Sequence, residues 1–567
     1  MTTKCVKCCS RFLIFIFLLV SGWKIAAKSE QTTVDGLIHQ LQSENLQTRI
    51  SATYALSHTN SLVAVPILVE ALKGTNRLIR AASAYTLSRI TSPIAKSAAE
   101  SVLPQLINDL KDHPNLVSDD VELRAATILA VGAMGPVAQE ATPILIQALS
   151  DDRNQIRGNA VVALGRIGQP TDVVVAALVE FCRTDDLARA TGAYALSQIS
   201  SIEAKQTIIE ILPQLVKTLH AGDSKVETAT LVALEAIGAP AVFALLEEMS
   251  QEKTVVRQRA AQALEKIGEP AISLVIQTLS SQNQSLRLSA ILALGLIGPA
   301  AKAGVPDLMI LLEDPAPLVC GLAAYALGGI GSASYPAIPI LTELLSHPDQ
   351  AIRTNSAYAL AGIGPLAIVA ASNLIQNLQD SDTEVRLSTI HALGQIGADT
   401  AVENLIPLMS SQDEWIRLCV ANALGQIGEA AQESVPMLIE ALVDHHQGVR
   451  YNAINALILI GNSSIPRLIN ALKNGDRIMQ LRVIGVLGQF GKSAIPELQK
   501  TLDDGSIEVC RGIITALGQI GPDAIPTLQL ALKHPNSQVR WAATHSLKKI
   551  DTVEAAAVLS EYLDRRR

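Results

Sequence analysis

The order of apolar and polar positions in this chain repeats, and residues 384–397 give a clear copy of the unit: Glu384-Val385-Arg386-Leu387-Ser388-Thr389-Ile390-His391-Ala392-Leu393-Gly394-Gln395-Ile396-Gly397. Val385, Thr389, Ala392, Leu393 and Ile396 share one face at helical spacing. Gly397 stands just past the last of them, where a residue in the αL conformation ends a helix at little cost. A second, shorter amphipathic segment precedes each copy, such as Ile338-Pro339-Ile340-Leu341-Thr342-Glu343-Leu344-Leu345. Pro339 suits the first turn of that helix, because its missing N–H would have had no helical partner. The unit is therefore helix A, a tight turn, helix B and a glycine stop.

Ile237, Ile267, Ile297, Ile330, Ile363, Ile396, Ile427, Ile460, Phe490, Ile520 and Ile550 mark successive ends of helix B. Their spacing is roughly 30 to 33 residues, and earlier copies bring the series to about sixteen units. A single hairpin has too few aliphatic side chains to offset the entropy of ordering its backbone, so neighbours must share a core. The pattern predicts an all-α, right-handed α-solenoid over residues 30–567, closed by a capping helix at 553–564. Two stretches, Thr91–Val102 and Ser200–Ile211, read as longer connectors, and Asp112–Asp120 reads as a surface loop.

The first 29 residues differ from the rest. Lys4, Lys7 and Arg11 precede an unbroken apolar run, Phe12 to Val20, and small residues follow near position 27. That is the order of a secretory signal, or of an N-terminal anchor tethering the chain through residues 12–20. Val20-Ser21-Gly22 resembles the front of a lipoprotein box, but Trp23 occupies the position of the acylated cysteine. The expected location is extracytoplasmic (periplasmic or secreted) or membrane-anchored. The widely spaced Cys182, Cys320, Cys419 and Cys510, unsuited to internal disulfides, leave a cytoplasmic alternative open.

The net charge is −8, and five basic residues with no acid lie in the leader, so the array itself is more acidic still. With aromatics at 3% of residues, this argues against nucleic acid as a partner, which calls for basic charge and stacking platforms. No Ser-His-Asp arrangement stands out, and no cofactor is expected. His445-His446 beside Asp444 lies in an A–B turn and does not form a metal-ligand pattern.

The recurring Val385-Arg386 leading into Ala392-Leu393-Gly394-Gln395-Ile396-Gly397 resembles the short HEAT-like repeats of phycobilisome lyases. The resemblance implies an α-solenoid whose B helices line the concave side. It also extends to deoxyhypusine hydroxylase, whose repeats carry His-Glu metal ligands, but this sequence has no His-Glu dipeptide.

Two columns of the repeat stand out. Arg157, Arg353, Arg386, Arg417 and Arg450 belong to one near the start of helix B, where a cation opposes the helix dipole and needs a partner. Turn acids such as Asp151, Asp380 and Asp444 are the expected partners, in a ladder between units. Five residues further on, Tyr54, Tyr85, Tyr194, Tyr325 and Tyr358 are followed by His391, Asn422 and Asn455. Asn159, Asn355, Asn452, Gln395, Gln426, Gln489 and Gln519 flank this row. Tyr and Asn offer polar contacts at low entropic cost. The row, with Tyr325, Tyr358, His391, Asn422 and Asn455 at its centre, is the expected contact strip of a non-catalytic scaffold for a protein or extended peptide. The alternative function is a phycobilin-lyase-like accessory or enzyme subunit acting on a protein substrate.

Overall fold

The computed structural model describes residues 34–565, except positions 42, 44, 58, 60, 61, 112–119, 251 and 252. The leader, with its proposed anchor, and nearly all of the 112–120 loop lie outside the described residues. Among these residues every regular element is helical. The chain divides into two compact units, Met1–Ala293 and Leu294–Arg567, with the division inside helix Gln284–Ile297.

In the second unit, B helices Pro317–Ile330, Gln350–Ile363, Thr383–Gln395, Glu414–Ile427, Gln447–Ile460, Arg477–Gln489, Ile507–Ile520 and Ser537–Ile550 follow one another. Each packs against the next. Short A helices form the other layer, several opening on a proline such as Pro339 or Pro436. Leu360, Leu393, Leu424 and Leu457 from the B layer meet Leu341, Leu374, Leu405 and Leu438 from the A layer in the core, all without solvent exposure. The first unit repeats the plan, with B helices such as Arg77–Arg89, Asn154–Ile167 and Thr254–Ile267.

The B helices approach closely near their C-terminal ends. A Cβ on Gly328 would lie 2.8 Å from the Cα of Ala359, so only glycine keeps that spacing. The stop glycines have positive φ, but most do not take the expected αL form. Gly168 does, at φ 64° and ψ 21°. Gly331 and Gly364 instead have ψ near the opposite extreme, at φ 82°, ψ −142° and φ 78°, ψ −147°. That region is essentially restricted to glycine. It sends the chain straight into a 3₁₀ turn and the next A helix, as at Gly364–Ala370.

The connectors at 91–102 and 200–211 are corrected by the structure. Pro93–Ser101 is a helix with Ala95 and Ala99 buried, and Ile202–Lys217 is one continuous helix containing Pro213. Their Ala-rich or alternating apolar positions find a surface to cover, which the polar look of the sequence hid. At the end of the chain, Val553–Asp564 packs on Ser537–Ile550, and Asp551 takes the αL stop position at φ 51°.

Gln284–Leu311, Pro317–Leu344 and Gln350–Asn377 are helical runs long and apolar enough to cross a membrane by length and composition. In each, a positive-φ glycine (Gly298, Gly331 or Gly364) marks the joint between a B helix and the next A segment. They are consecutive elements of the array.

Candidate binding surface on the B helices

Arg353, Arg386, Arg417, Arg450 and Arg157 are each the fourth residue of a B helix. A cation there faces the positive end of its own helix dipole. Each guanidinium turns back to the A–B turn, whose carbonyls carry the opposite partial charge. Nη1 of Arg353 donates to the His347 carbonyl at 2.9 Å, Arg386 to Asp380 at 2.7 Å, and Arg417 to Ser411 at 2.7 Å. Arg450 donates to the Asp444 carbonyl at 2.7 Å, and Arg157 to Asp151 at 2.8 Å.

The far edge of the fork reaches the following turn in some repeats only. Arg353 Nε and Nη2 hold both oxygens of Asp380 at 2.8 and 2.9 Å. Arg417 holds Asp444 in the same way at 2.8 and 3.0 Å. Arg124 lies 3.2 Å from Asp151, which Arg153 also binds at 2.7 Å. Arg386 ends on Thr383 Oγ1 at 2.8 Å, and the turn after it offers Ser411 where Asp380 stood before. After Arg450 that place falls to Asn474. The expected ladder is thus interrupted, with bidentate rungs between alternate B helices in this stretch.

Hydrogen bonds from Arg353 hold the Asp380 carboxyl below the usual carboxylate range. Burial pushes the Asp444 carboxyl up, but Arg417 and the His446 N–H outweigh it and leave the group low. Both Asp444 oxygens are therefore engaged, which removes the acid that a His445–His446 metal site would use. Among the described residues no group of three or more His, Cys, Asp or Glu could hold a metal ion.

The column's exceptions perform the same local task. Cys320 Sγ donates to the Leu312 carbonyl at 3.1 Å, and Gln480 Nε2 to Leu472 at 3.2 Å. Glu227 cannot donate, and Arg259 from the next B helix replaces it, bonding the Leu219 carbonyl and pairing with Glu227 at 2.6 Å. Cys182, Cys320 and Cys510 are buried, Cys419 is half-buried, and none of the four is in a disulfide. Burial pushes the Cys182 thiol up to about 12, far from a nucleophile's range.

The predicted strip lies on five successive B helices of the second unit. Tyr325 and Tyr358 stack with ring centroids 5.4 Å apart and planes inclined by 13°. Tyr325 is half-buried, and burial, then Tyr358, pushes its phenol up. Tyr358, Asn422, Gln395 and Gln426 are exposed; His391 and Asn455 are half-buried. Burial holds the His391 imidazole below its ordinary value, favouring the neutral ring.

Some members of the wider row have other duties. Tyr85 is buried, edge-on to Tyr54 at 5.6 Å, with helix Pro93–Ser101 packed on its own helix. Asn159 is buried and donates to the Ala125 carbonyl at 3.2 Å, while Asn452 donates to Leu418 at 3.1 Å. The Asn355 amide nitrogen lies against Gly321, 3.2 Å from where a Cβ would sit. These asparagines bridge neighbouring helices, because their column is rotated toward the adjacent B helix.

Column reasoning missed a row of exposed apolar residues that begins one or two turns earlier on the last two helices of the strip and continues on later B helices. Trp415, Tyr451, Leu481 and Trp541 are 57, 64, 63 and 64% exposed. Two of the chain's three tryptophans stand in this row, and that was the available signal in a sequence so poor in aromatics.

Paired helices stacked in two layers, with one B helix against the next, define an α-solenoid. The HEAT repeats family matches residues 103–197, 305–370, 371–458, 435–513, 465–528 and 495–567, more than half of the chain. The protein belongs to the HEAT repeats family. No curated protein matches its sequence. Among solved structures it is similar to Kap121p, with 14% identity and a TM-score of 0.42, over 93% of this chain and 74% of that one. It is also similar to importin beta, with 17% identity and a TM-score of 0.37, over 95% of this chain and 81% of that one. It is similar as well to a structure of Kap95p, with 14% identity and a TM-score of 0.36, over 93% of this chain and 84% of that one.

The extracytoplasmic or membrane-anchored location expected from the leader is corrected on this finding. The similar solved structures are karyopherins and importin beta, and the leader itself lies outside the described residues.

Proposed function

We propose that the protein is a non-catalytic scaffold that holds a protein or an extended peptide along the outward face of its B helices. The observation carrying this reading is the strip of Tyr325, Tyr358, His391, Asn422 and Asn455 on consecutive packed helices, flanked by exposed Gln395 and Gln426. Donors and acceptors at the spacing of helices, about 8–10 Å, suit a long partner touched at intervals. The stacked tyrosine pair supplies rigid apolar area with polar tips. Burial and hydrogen bonding account for the arginine column and the cysteines, leaving this face as the part without a structural duty.

Affinity capture from the native host, followed by mass spectrometry, tests the reading with the wild-type chain and a Tyr358→Ala/Asn422→Ala variant. The variant should lose specific partners while its far-ultraviolet circular dichroism is unchanged. Equal capture by both proteins would remove the strip. Co-expression with a bilin and an acceptor protein should give no coloured adduct; a covalent one would assign the lyase-like accessory role instead.

A further inference from the structure

We infer that the C-terminal B helices bind an acidic peptide whose apolar side chains seat on Trp415, Tyr451, Leu481 and Trp541 while Arg482 and Arg511 meet its carboxylates. The inference rests on the scaffold reading and names the chemistry of the partner. Counting back from the residue that closes each B helix, Tyr451, Leu481, Arg511 and Trp541 occupy one column, nine positions before Ile460, Phe490, Ile520 and Ile550. Trp415 stands twelve before Ile427, roughly 60° away around a helix of about 100° per residue. The column is continuous in space where a cavity reports on it. Arg511 and Trp541, on adjacent helices, line one open cavity of about 400 Å³ with Ser537 and Gln538. Trp541 is held flat by stacking on His545, with centroids 5.6 Å apart and planes 8° apart.

Charge selects the occupant. The whole protein is acidic, at −8. On this face, from Trp415 to Lys549, exposed Arg482, Arg511 and Lys549 nevertheless outnumber the exposed Glu414 and Glu508. The ion pairs among the described residues involve none of these cations. A basic island with exposed tryptophan and tyrosine fits a ligand that is both acidic and apolar, and such residues dominate binding energy when a partner covers them. Helix spacings of 8–10 Å put Trp415 and Trp541 roughly 32–40 Å apart, the reach of about ten to twelve extended residues. Single-stranded nucleic acid could stack on the same rings. Its continuous phosphates would meet Glu414 and Glu508 on these helices, whereas a peptide can place its carboxylates only where the arginines are.

The test is display of random dodecamer peptides against the full chain, followed by fluorescence anisotropy on the enriched sequences. Enriched peptides should combine Asp or Glu with Trp, Phe or Leu. Their affinity should fall about tenfold or more in Trp541→Ala and in Arg511→Glu, and largely survive in Arg511→Lys. These side chains are exposed, and circular dichroism confirms that the variants fold. The inference is overturned by no enrichment, by enrichment of basic or uncharged peptides, by affinities indifferent to both losses, or by an oligo-dT probe that binds more tightly than the peptides. If acidic peptides bind but respond only to Tyr358→Ala and Asn422→Ala, the scaffold reading stands and this assignment falls.

Discussion

Replacing Arg417 by Met should loosen two turns, its own and the next. The guanidinium makes one bond to the Ser411 carbonyl at 2.7 Å and two to Asp444 at 2.8 and 3.0 Å. Charged hydrogen bonds contribute about 1.5–3 kcal/mol net, and stranding a fully buried partner costs about 3–5 kcal/mol. Here the side chains retain 15 and 14% exposure, so solvent reduces that penalty. A loss of about 2–3 kcal/mol is expected. A long array does not unfold in one step, so a melting curve would blur the effect. Hydrogen exchange read by mass spectrometry resolves it: amides near 411–418 and 444–450 should exchange roughly 30- to 150-fold faster. Arg386→Met is the control, since Arg386 bonds only within its own turn region, to Asp380, Ser381 and Thr383. It should leave the Ser411 turn unchanged. If Arg417→Met speeds only its own turn, or if Arg417→Met and Asp444→Asn add without coupling, the rung does not link repeats.

Four further outcomes follow from named positions. Asp380 titrates below its unfolded value near 3.9, so its rung is complete above that pH and is lost as pH falls through the lower folded value. The stability gap between wild type and Asp380→Asn should therefore be full at pH 6 and close in strong acid; a gap independent of pH would refute the assignment. Gly364→Ala should cost about 1–3 kcal/mol from backbone strain alone, since φ is 78° and no atom crowds the new methyl. Gly485→Ala, inside helix Arg477–Gln489 with open space around it, should gain about 0.5–1 kcal/mol, and local hydrogen exchange checks both signs. Leu424→Ala, at a fully buried B-layer position, should cost about 2–5 kcal/mol by the same measurement.

The helices and their ends were readable because burial imposes a period, and the period survives in Leu393, Ile396 and Gly397 whatever the neighbours are. The acids of the rungs were readable too, but not the interruption of the ladder, which comes from Ser411 and Asn474 standing where Asp380 and Asp444 recur. What a single helix cannot reveal is the carbonyl next door. Asn452 looks like a surface residue on its own helix, yet its amide is spent on Leu418 of the preceding one. Tyr85 looks like Tyr358 in the repeat, but only Tyr85 has an additional helix, Pro93–Ser101, against its own. Trp415 and Trp541 were passed over because isolated apolar residues resemble core when attention is on recurring types.

The alternation of the arginine rungs has a mechanical consequence. Arg353 with Asp380 ties two neighbouring hairpins, Arg417 with Asp444 ties the next two, and the seam at Arg386 lacks such a clasp. Pulled from its ends, this stretch should rip two hairpins at a time, releasing roughly 200 Å of thread per event, whereas a uniformly riveted array would yield one hairpin per tug.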